Sequence, residues 1–396
     1  MNNKIINHKS HIILVIILGS IISIGPLTID MYLPAFSAMA KYFLVSDSKI
    51  QLTLSLYFIG VAIGQILYGP IIDRFGKKLP LIFGLIIFVI TSFLCAGAIT
   101  IEQIIFFRFF QAIGACSCFV VVRSIVRDLF SLKDSAQVFS HLMLVMGIAP
   151  ILAPLLGGVI LFYFNWQAIF WFLGFFAMFL ILISILYLPE SGAGDKTQKF
   201  SGAFKRYWKI LDDKNFLLYS LSGGFASSGM FVFIVGSPFM IIEIFGISPK
   251  NYGWIFGLNA FGYILFAQIN SRLLKFFEPK QILDKAFKLL FLSSIFLIIC
   301  GIYFVNIWAI SIVFFVYISL IGSISPNSTA LAMNYQTKNS GSASALFGTI
   351  QFGIAAISSF LLSYFHNKTV LPMVIIIGFC GFIAFLINLV LSQSIK

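Results

Sequence analysis

Long apolar runs, separated by short polar segments, are the feature of this 396-residue chain that most restricts its fold. Each run is close to the roughly 20 residues that a helix needs to cross the hydrocarbon of a bilayer. Backbone amides inside hydrocarbon must find partners within their own segment, so runs of this length form helices. The sequence therefore predicts an all-α polytopic membrane protein with about twelve transmembrane helices. The predicted spans are Ile12–Phe36, Leu52–Ile72, Pro80–Ala98, Gln103–Val122, Gln137–Phe164, Gln167–Leu188, Phe216–Ile242, Tyr252–Leu274, Phe287–Phe304, Ile307–Ala330, Ser344–Phe365 and Leu371–Leu391.

Charged residues are scarce and unevenly placed. The chain is 60% hydrophobic and 10% charged, and a soluble fold of that composition would expose large apolar patches. Most of the 26 lysines and arginines fall on the side of the predicted spans that carries both chain ends, whereas Lys41, Lys49, Lys250 and Lys368 fall on the other. By the positive-inside rule both termini are cytoplasmic. The formal net charge of +13 is thus a topology signal, and no nucleic-acid partner is predicted.

The sequence carries no sign of catalytic or metal chemistry. All five cysteines fall inside apolar runs, where they are predicted to act as small packing residues and not as metal ligands or disulfides. No nucleotide-binding loop, metal-binding histidine pair or nucleophile turn appears. We therefore predict no metal, no cofactor and no enzymatic activity.

A polar stretch, 189–215, divides the predicted spans into six and six. It is rich in Gly, Ser, Lys and Asp and is predicted to be a cytoplasmic linker with a surface helix at Phe204–Leu211. The predicted domains are a six-helix bundle at 1–188, this linker, and a second six-helix bundle at 216–396.

The two halves resemble each other in sequence. Gly64–Arg74 in the second span aligns with Gly262–Arg272 in the eighth, and Gly147–Leu156 in the fifth aligns with Gly353–Leu362 in the eleventh. Both pairs lie six spans apart and so have the same orientation in the membrane. A parallel repeat of this kind predicts two pseudo-symmetric six-helix bundles related by an axis along the membrane normal.

A tight charged loop joins the second and third spans. The run Gly69–Leu81 resembles the signature Gly-x-Leu-x-Asp-Arg-x-Gly-Arg-Lys-x-x-Leu of the major facilitator superfamily of transporters, with Ile71 in place of leucine and Lys77 in place of arginine. The resemblance implies the major facilitator fold and a gating role for the loop. The residues assigned to the gate are Gly69, Asp73, Arg74, Gly76, Lys77, Lys78 and, at the end of the fourth span, Asp128.

The charges of this loop are predicted to latch the two halves together on the cytoplasmic side. Asp73 would face the amino end of the eleventh span at Ser340–Ser344, where unpaired amides and the helix dipole favour a negative charge. Arg74 and the two lysines would pair with Asp128. Each exposed ion pair is worth little alone, so only a network of them would bias the equilibrium.

Asp30 is the only carboxylate well inside any predicted span. Such a residue is costly in hydrocarbon and usually faces a water-filled cavity on a proton or substrate path. Pro26 and Pro34 flank it and are predicted to loosen the helix there. The stretch Thr28–Ala35 resembles the Asp-Met-Tyr-Leu-Pro-Ala signature of the bicyclomycin-resistance (Bcr/CflA) drug-efflux family, and the resemblance extends along nearly the whole chain, including Gly236–Phe239. The alternative is a helix-end carboxylate that reaches the outer headgroups.

Arg108, in the fourth span, is the predicted partner of Asp30. Both lie at similar depth from the outer face, with Arg108 some two turns inside its span by helical rise. Arg108–Ala115 resembles the fourth-span signature of the superfamily, in which the arginine is tied to proton coupling. Asp30 and Arg108 are therefore the predicted proton-coupling pair. An arginine that snorkels to the surface is the alternative.

The segment Gly147–Gly158 resembles the fifth-span signature associated with antiporters. Pro150 and Pro154 remove helix donors and favour a bend, whereas Gly157 and Gly158 allow another helix to approach closely. The aligned segment of the eleventh span lacks the prolines and the paired glycines. This asymmetry favours export over uptake, and a helix bent purely for packing is the alternative.

Several other residues within the spans are candidates to line a central cavity, although polar ones are more often satisfied by neighbouring helices. They are Tyr32, Gln65, Gln111, His141, Pro238, Asn259, Asn327 and Gln351. Aromatic residues, which make up 17% of the chain, would supply an unspecific apolar grip on a ligand.

These residues and resemblances predict a proton-coupled antiporter that exports small, partly apolar compounds by alternating access across the bacterial cytoplasmic (inner) membrane. The family resemblance implies drug-like substrates, such as compounds of the bicyclomycin or chloramphenicol class. The predicted partners are the substrate, protons and the lipid bilayer; the proton gradient drives transport, and the chain is predicted to be monomeric. A change in the hydration of Asp30, or in its distance from Arg108, would load and release the proton. The alternatives are a proton-linked uptake symporter for a small nutrient and a non-transporting receptor or scaffold.

Overall fold

The computed structural model describes residues 8–129, 132–190, 194, 200–336 and 340–394, which are almost entirely helical. A 3-10 turn at Leu33–Ala35 follows the first helix, and a π-helical turn at Phe239–Ile244 follows the ninth. The α-helices are α1 (His8–Asp30), α2 (Phe36–Phe43), α3 (Asp47–Phe75), α4 (Lys78–Ala96), α5 (Ile101–Leu129), α6 (Leu132–Tyr163), α7 (Trp166–Tyr187), α8 (Phe200–Leu211), α9 (Lys214–Pro238), α10 (Pro249–Leu273), α11 (Pro279–Tyr303), α12 (Ile307–Asn334), α13 (Ser340–Tyr364) and α14 (Leu371–Ser394).

Eleven stretches of the described chain are long and apolar enough to cross a membrane. They match the predicted spans except the eighth, where α10 is a helix of 25 residues that carries Asn259, Gln268 and Asn270 among its apolar residues. α10 packs between α6 and α12 and so occupies the position of a twelfth span. The all-α polytopic fold predicted from the sequence is confirmed.

The first predicted span, Ile12–Phe36, is not one continuous helix. α1 ends at Asp30, and α2 begins only after the 3-10 turn. Pro34, in that 3-10 segment, has no N–H and so cannot donate the α-helical hydrogen bond to the carbonyl of Asp30, four residues earlier. The break leaves carbonyls at the end of α1 without partners inside the helix.

The two halves pack in the same pattern. In the first half α3 packs on α5, α4 on α5 and α7, and α1 on α6; in the second half α10 packs on α12, α11 on α12 and α14, and α9 on α13. Each of these pairings therefore has a counterpart six spans later. The halves meet along two seams, α3 with α13 and α6 with α10, which are themselves counterparts. This is the pseudo-symmetric two-bundle architecture that the sequence repeats predicted.

Glycines at aligned repeat positions make equivalent contacts in each bundle. Gly64 of α3 lies against α5, and a Cβ built on it would come 2.7 Å from the Cβ of Cys116. Gly262, which aligns with Gly64, lies against Ser319 of α12. Since these are counterpart helix pairs, the sequence repeat is also a packing repeat, and a side chain at either position would separate two helices.

The seam between α6 and α10 is closed towards one face of the molecule. We call the face that carries the linker helix α8 the linker face, and the other the opposite face. Along the seam, Gly147 lies against Ile264, and nearer the opposite face a Cβ built on Gly158 would come 3.0 Å from the carbonyl oxygen of Pro249. The two bundles are therefore in direct backbone contact at the opposite face.

Candidate functional site

Arg108 of α5 is completely buried in the first bundle. Its guanidinium donates to the side-chain oxygen of Gln111 at 2.7 Å and to the backbone carbonyl of Thr28 at 3.1 Å. The ring centroids of Tyr32 and Tyr57 lie 4.2 and 4.4 Å from the guanidinium carbon. Cation–π contacts are strongest where water is excluded, as here. This arginine is held inside the bundle and does not snorkel to the surface.

The carboxyl end of α1 supplies the negative partner of Arg108. Because α1 ends at Asp30, the carbonyl of Thr28 belongs to the last turn, whose carbonyls carry the negative end of the helix dipole and lack helical partners. No carboxylate in the described part of the chain lies within 4.0 Å of this guanidinium. The end of α1 and two aromatic rings thus contact Arg108 in place of the predicted counter-ion, Asp30.

A chain of hydrogen bonds fixes Arg108 from the other side. Gln111 donates to the hydroxyl of Ser92 on α4 at 2.7 Å, and that hydroxyl donates to the carbonyl of Phe88 at 2.6 Å. The network therefore links α4, α5 and the end of α1. Sequence reasoning missed Ser92 and Tyr57, because a single serine or tyrosine in an apolar run carries no signal of its partner.

Asp30 is buried in the protein, with 3% of its surface exposed, and its Oδ1 has no hydrogen-bond partner. It is therefore not at the lipid headgroups. The predicted ion pair with Arg108 is not formed, since no ion pair within 4.0 Å joins these two described residues. Arg108 instead binds the backbone carbonyl of Thr28, two residues before Asp30.

Three helices meet beside Asp30. Gly157 of α6 packs directly on the backbone carbonyl of Met31, where a side chain would overlap that oxygen. Gly158, its neighbour, packs on the start of α10 at Pro249. We call this meeting point of the end of α1, the Gly157–Gly158 pair and the start of α10 the junction. The two adjacent glycines of the predicted antiporter segment thus contact different bundles: Gly157 packs on the first bundle and Gly158 on the second.

The start of α10 carries a buried hydrogen bond beside the junction. The hydroxyl of Tyr252, three residues after Pro249, lies 2.8 Å from the hydroxyl of Ser237 on α9. No motif in the sequence signals this contact.

Three aromatic rings join the bundles at mid-height. Phe58 of α3 lies 4.9 Å from Phe231 of α9 and 6.2 Å from Phe352 of α13, and the latter two lie 5.2 Å apart, measured between ring centroids. Aromatic pairs at these distances contribute beyond the area that they bury. Sequence reasoning did not single them out, because the chain contains 47 phenylalanines.

The remaining polar candidates do not gather into one site. Asn327 donates to Asn270 at 2.7 Å within the second bundle, and Asn259 donates to the carbonyl of Ile255 at 2.9 Å within α10. Gln65 lies against Gly348 across the seam between α3 and α13. Asn327 is thus satisfied by a neighbouring helix, the alternative that the sequence left open, whereas the side-chain oxygen of Asn259 has no hydrogen-bond partner.

Other predicted site residues lie in varied surroundings. Pro238 is buried at the end of α9, Gln351 is half-buried on α13, and His141 is exposed on α6. Pro150 and Pro154 lie inside α6, which remains helical across both.

The predicted gating loop is built by two helix ends. Gly76 ends α3 with φ of +78°, a conformation that favours glycine. Lys78 donates to the carbonyls of Ile185 and Leu188 at the end of α7, each at 2.9 Å, where the helix dipole favours a cation. The prediction that Lys78 pairs with Asp128 falls on a side chain that lies outside the described residues.

The linker helix meets the loop at Asp73. The Asp73 carboxylate lies 4.0 Å from the guanidinium of Arg206 on α8, a partner other than the predicted amino end of α13. The Tyr207 hydroxyl donates to the carbonyl of Ile66 at 3.1 Å and packs on Gly69. Burial raises the pKa of Tyr207 to about 12, so it remains a donor at neutral pH. The linker helix therefore contacts this loop at both Asp73 and Gly69.

Arg74 and Lys77 complete the loop. The guanidinium carbon of Arg74 lies 5.5 Å from the ring centroid of Phe75, and Lys77 is 6% exposed. Gly194 of the linker packs directly on the backbone of Arg74 and Gly76. The linker therefore covers the loop on the linker face.

His366 lies at the opposite face, between α13 and α14. Its ring contacts Phe239 edge to face at 4.5 Å, and its Nε2 is buried without a hydrogen-bond partner. Burial lowers the pKa of His366; the charge of Asp47 on α3 opposes this, and that of Lys368 adds to it. Burial at this closed face therefore favours the neutral form of His366 over the protonated form.

We expect His366 to make stability fall on acidification. Because the unfolded chain binds the proton first, the contribution of a histidine with a lowered pKa is complete above about pH 6.5 and is lost as the pH falls through its folded pKa. His366→Phe, which keeps a ring against Phe239, should flatten this part of the pH dependence of the melting temperature in detergent. His141→Phe, at an exposed histidine, should leave it unchanged. An identical pH dependence in wild type and His366→Phe would contradict the assignment.

Two repeated six-helix bundles that meet along two seams, with an acid and an arginine buried inside them, define a two-bundle membrane transporter. A family model described as Major Facilitator Superfamily matches residues 18–359. The chain therefore belongs to the major facilitator superfamily.

Curated relatives point to one branch of that superfamily. The chain is 32% identical over 369 residues to an uncharacterized MFS-type transporter, YdgK, of Bacillus subtilis strain 168, covering 92% of each chain. It is 29% identical to a bicyclomycin resistance protein homolog of Haemophilus influenzae, covering 96% of each. It is 28% identical to the multidrug resistance protein MdtL of Escherichia coli O157:H7, covering 74% of this chain and 75% of that one. The resemblance to the drug-efflux family is confirmed.

Solved structures confirm the fold. A bacterial homolog of the human lysosomal transporter Spinster, in an inward-facing and unoccupied conformation, has a TM-score of 0.77 at 14% identity and covers 98% of each chain. A D-xylose-proton symporter has a TM-score of 0.74 at 15% identity and covers 96% of this chain and 97% of that one. Likeness at these identities concerns the fold alone.

Proposed function

We propose that the chain is a proton-coupled antiporter, which exports small, partly apolar compounds from the cytoplasm. The observation that carries the proposal is the carboxyl of Asp30, the only one buried in the described part of the chain, with an unpartnered oxygen at the point where the bundles meet. Ionisable groups within membrane spans typically mark proton or substrate paths. The relatives named for bicyclomycin resistance and multidrug resistance support the substrate class.

Alternation of the two faces would move the proton. A dry site without a cation favours the neutral carboxyl, whereas water or a nearby guanidinium favours the carboxylate. Opening of the opposite face would let water reach Asp30 and let a proton bind from outside. Closure of that face, followed by opening of the linker face, would release the proton to the cytoplasm. Inward movement of protons would thus drive outward movement of substrate.

Arg108 has a positioning part in this scheme. It holds the last turn of α1 through the carbonyl of Thr28, and Asp30 is the final residue of the same helix. A shift of that helix end would change the surroundings of the acid. The rings of Phe58, Phe231 and Phe352, contributed by both bundles, would contact the apolar parts of a substrate.

We further propose that the linker face is cytoplasmic, in the inner membrane of a bacterium, and that the chain works as a monomer without a cofactor. The basic residues of the linker helix, Lys205, Arg206 and Lys209, support this orientation.

Flux in proteoliposomes tests the function. Chloramphenicol preloaded in the vesicles or added outside should move against an imposed proton gradient of either sign, and an uncoupler should abolish the movement. Asp30→Asn should lose gradient-driven transport, because an amide cannot exchange a proton. Asp284→Asn, at a carboxylate that accepts from Asn388 at 2.8 Å, is the matched control and should retain it. Movement of the compound with protons would indicate a symporter, and full activity of Asp30→Asn would refute the coupling role.

A further inference from the structure

A small cavity of about 10 Å³ lies at the opposite face, beside His366. All but one of the described residues that line it belong to the second bundle, and the exception is Gln51, one turn into α3. Phe239 and Met240, at the start of the π-helical turn, form part of the wall. Turns of this kind occur frequently at functional sites. The cavity is complete only while Gln51 stays against the second bundle.

Two of the lining residues carry a buried polar atom without a hydrogen-bond partner, and each comes from a different bundle. The atoms are Oε1 of Gln51, a residue that is 1% exposed, and Nε2 of His366. A buried polar atom that stays unpaired costs more than a typical hydrogen bond contributes. Such a cost on both sides of one interface would favour separation of the bundles, yet the bundles touch at this face. A partner shared by the two atoms removes the conflict.

One water molecule matches the size and the chemistry of this cavity. A bound water needs about 10–15 Å³ of such space and two to four polar partners. It has two hydrogens to donate and two lone pairs, so it can donate to Gln51 Oε1 and bond His366 Nε2 in either neutral tautomer. The hydroxyl of Thr369, also in the lining, donates to Asn367 at 2.7 Å and accepts from the N–H of Leu371 at 3.2 Å. One of its lone pairs is left for a third contact.

We propose that a single bound water joins Gln51 to His366 across this cavity and serves as a latch that holds the opposite face closed. Opening of that face separates the bundles and takes Gln51 away from the lining. The bridge then breaks, and bulk water hydrates both side chains instead. The latch goes beyond the proposed function, since it sets how readily the carrier opens on this side and requires no proton transfer at Asp30.

Footprinting with hydroxyl radicals tests for the water. A short X-ray pulse forms these radicals from water, and a methionine beside the water is oxidised to the sulfoxide. Met240 and Met373 line the cavity although both are buried. Met39, which is completely buried and is not among the lining residues, is the internal control. Mass spectrometry of the full chain should show both cavity methionines oxidised well ahead of Met39. Equally slow oxidation of all three would contradict a bound water.

The seam between α6 and α10 provides a measure of closure. Gly257 is buried there against Ile151, so the thiol of Gly257→Cys reacts only after the bundles separate. This variant would be made in the full chain with its five native cysteines replaced by alanine. A membrane-impermeant maleimide would be added to right-side-out membrane vesicles at about pH 8, where His366 is neutral. The labelling rate then follows the fraction of molecules whose opposite face is open.

Gln51→Met, of similar size but without a strong hydrogen-bonding group, should raise the labelling rate about fivefold, the change expected from one net hydrogen bond. His366→Phe should have an effect of the same size. The two substitutions together should raise the rate no more than either alone, because both remove one shared bridge. Gln167→Met is the matched control and should change nothing, since Oε1 of Gln167 is also buried without a partner but lies outside this lining.

The sign of the effect distinguishes a bridged cavity from an unbridged one. Without a water, Gln51→Met removes only an unpaired acceptor, so the closed face becomes more stable and labelling slows. Slower labelling, an unchanged rate, or independent effects that multiply to about 25-fold in the double variant would overturn the latch. Full gradient-driven flux in Asp30→Asn would refute the proposed coupling and leave these outcomes as they are.

Discussion

Gly157→Ala should lower the free energy of unfolding by about 3 kcal/mol and abolish transport. The added methyl group would overlap the backbone carbonyl of Met31, which cannot rotate away as a side chain can. α6 must therefore move from the break in α1, and the junction beside Asp30 opens. Unfolding in mixed detergent micelles and flux in proteoliposomes measure the two effects.

Gly353→Ala is the matched control for this prediction. Gly353 also lies within a predicted membrane span, on α13, but a Cβ built there meets nothing within 4 Å. The better helix propensity of alanine should make this variant neutral, or more stable by up to about 1 kcal/mol. Equal effects of the two substitutions would show that close approach at Gly157 does not matter.

Arg108→Lys should lower the free energy of unfolding by about 3 kcal/mol although it keeps the charge. A single ammonium does not reproduce the planar fork that reaches Gln111 and Thr28 together, so one buried acceptor loses its donor. Release of the end of α1 should also reduce transport, because Asp30 ends that helix. The same unfolding and flux measurements apply.

Arg272→Lys is the control for the loss of a guanidinium. Arg272 is exposed at the end of α10, and surface substitutions of this kind usually change stability by less than about 0.5 kcal/mol. If Arg108→Lys changed the free energy of unfolding as little as Arg272→Lys does, the hydrogen bond to the end of α1 would contribute little to stability. The aromatic contacts of Tyr32 and Tyr57 would then be sufficient to hold the cation.

Both predictions concern the break after Asp30, which the sequence signalled only in part. Pro26 and Pro34 indicated a loosened helix, but Pro26 is accommodated inside α1 and only Pro34 lies next to the break. The difference is positional. At Pro26 the loss of one hydrogen bond is tolerated because helix continues on both sides, whereas Pro34 cannot donate to the carbonyl of Asp30, the last residue of α1.

Partners between helices were the least predictable part of the site. Arg108 was expected to pair with Asp30 and instead caps α1, and Lys78 caps the end of α7, a partner that the sequence did not indicate. In both cases the cation binds orphan carbonyls at a helix end. Every helix ends in such unpaired backbone carbonyls whatever its side chains, so no residue type marks them in the sequence.

The sequence by itself determined the number and approximate bounds of the spans, the repeat, and the identity of the buried acid and arginine. The bilayer imposes these features on each apolar run separately. Backbone groups inside hydrocarbon must form the hydrogen bonds of a helix, and ionisable side chains are rare there because burying a charge is costly. Only the tertiary structure decided that Arg108 binds the end of α1 and forms no ion pair with Asp30. That arrangement depends on how each helix is rotated and where α1 breaks, which is set by close packing of glycines such as Gly157 against other chain segments.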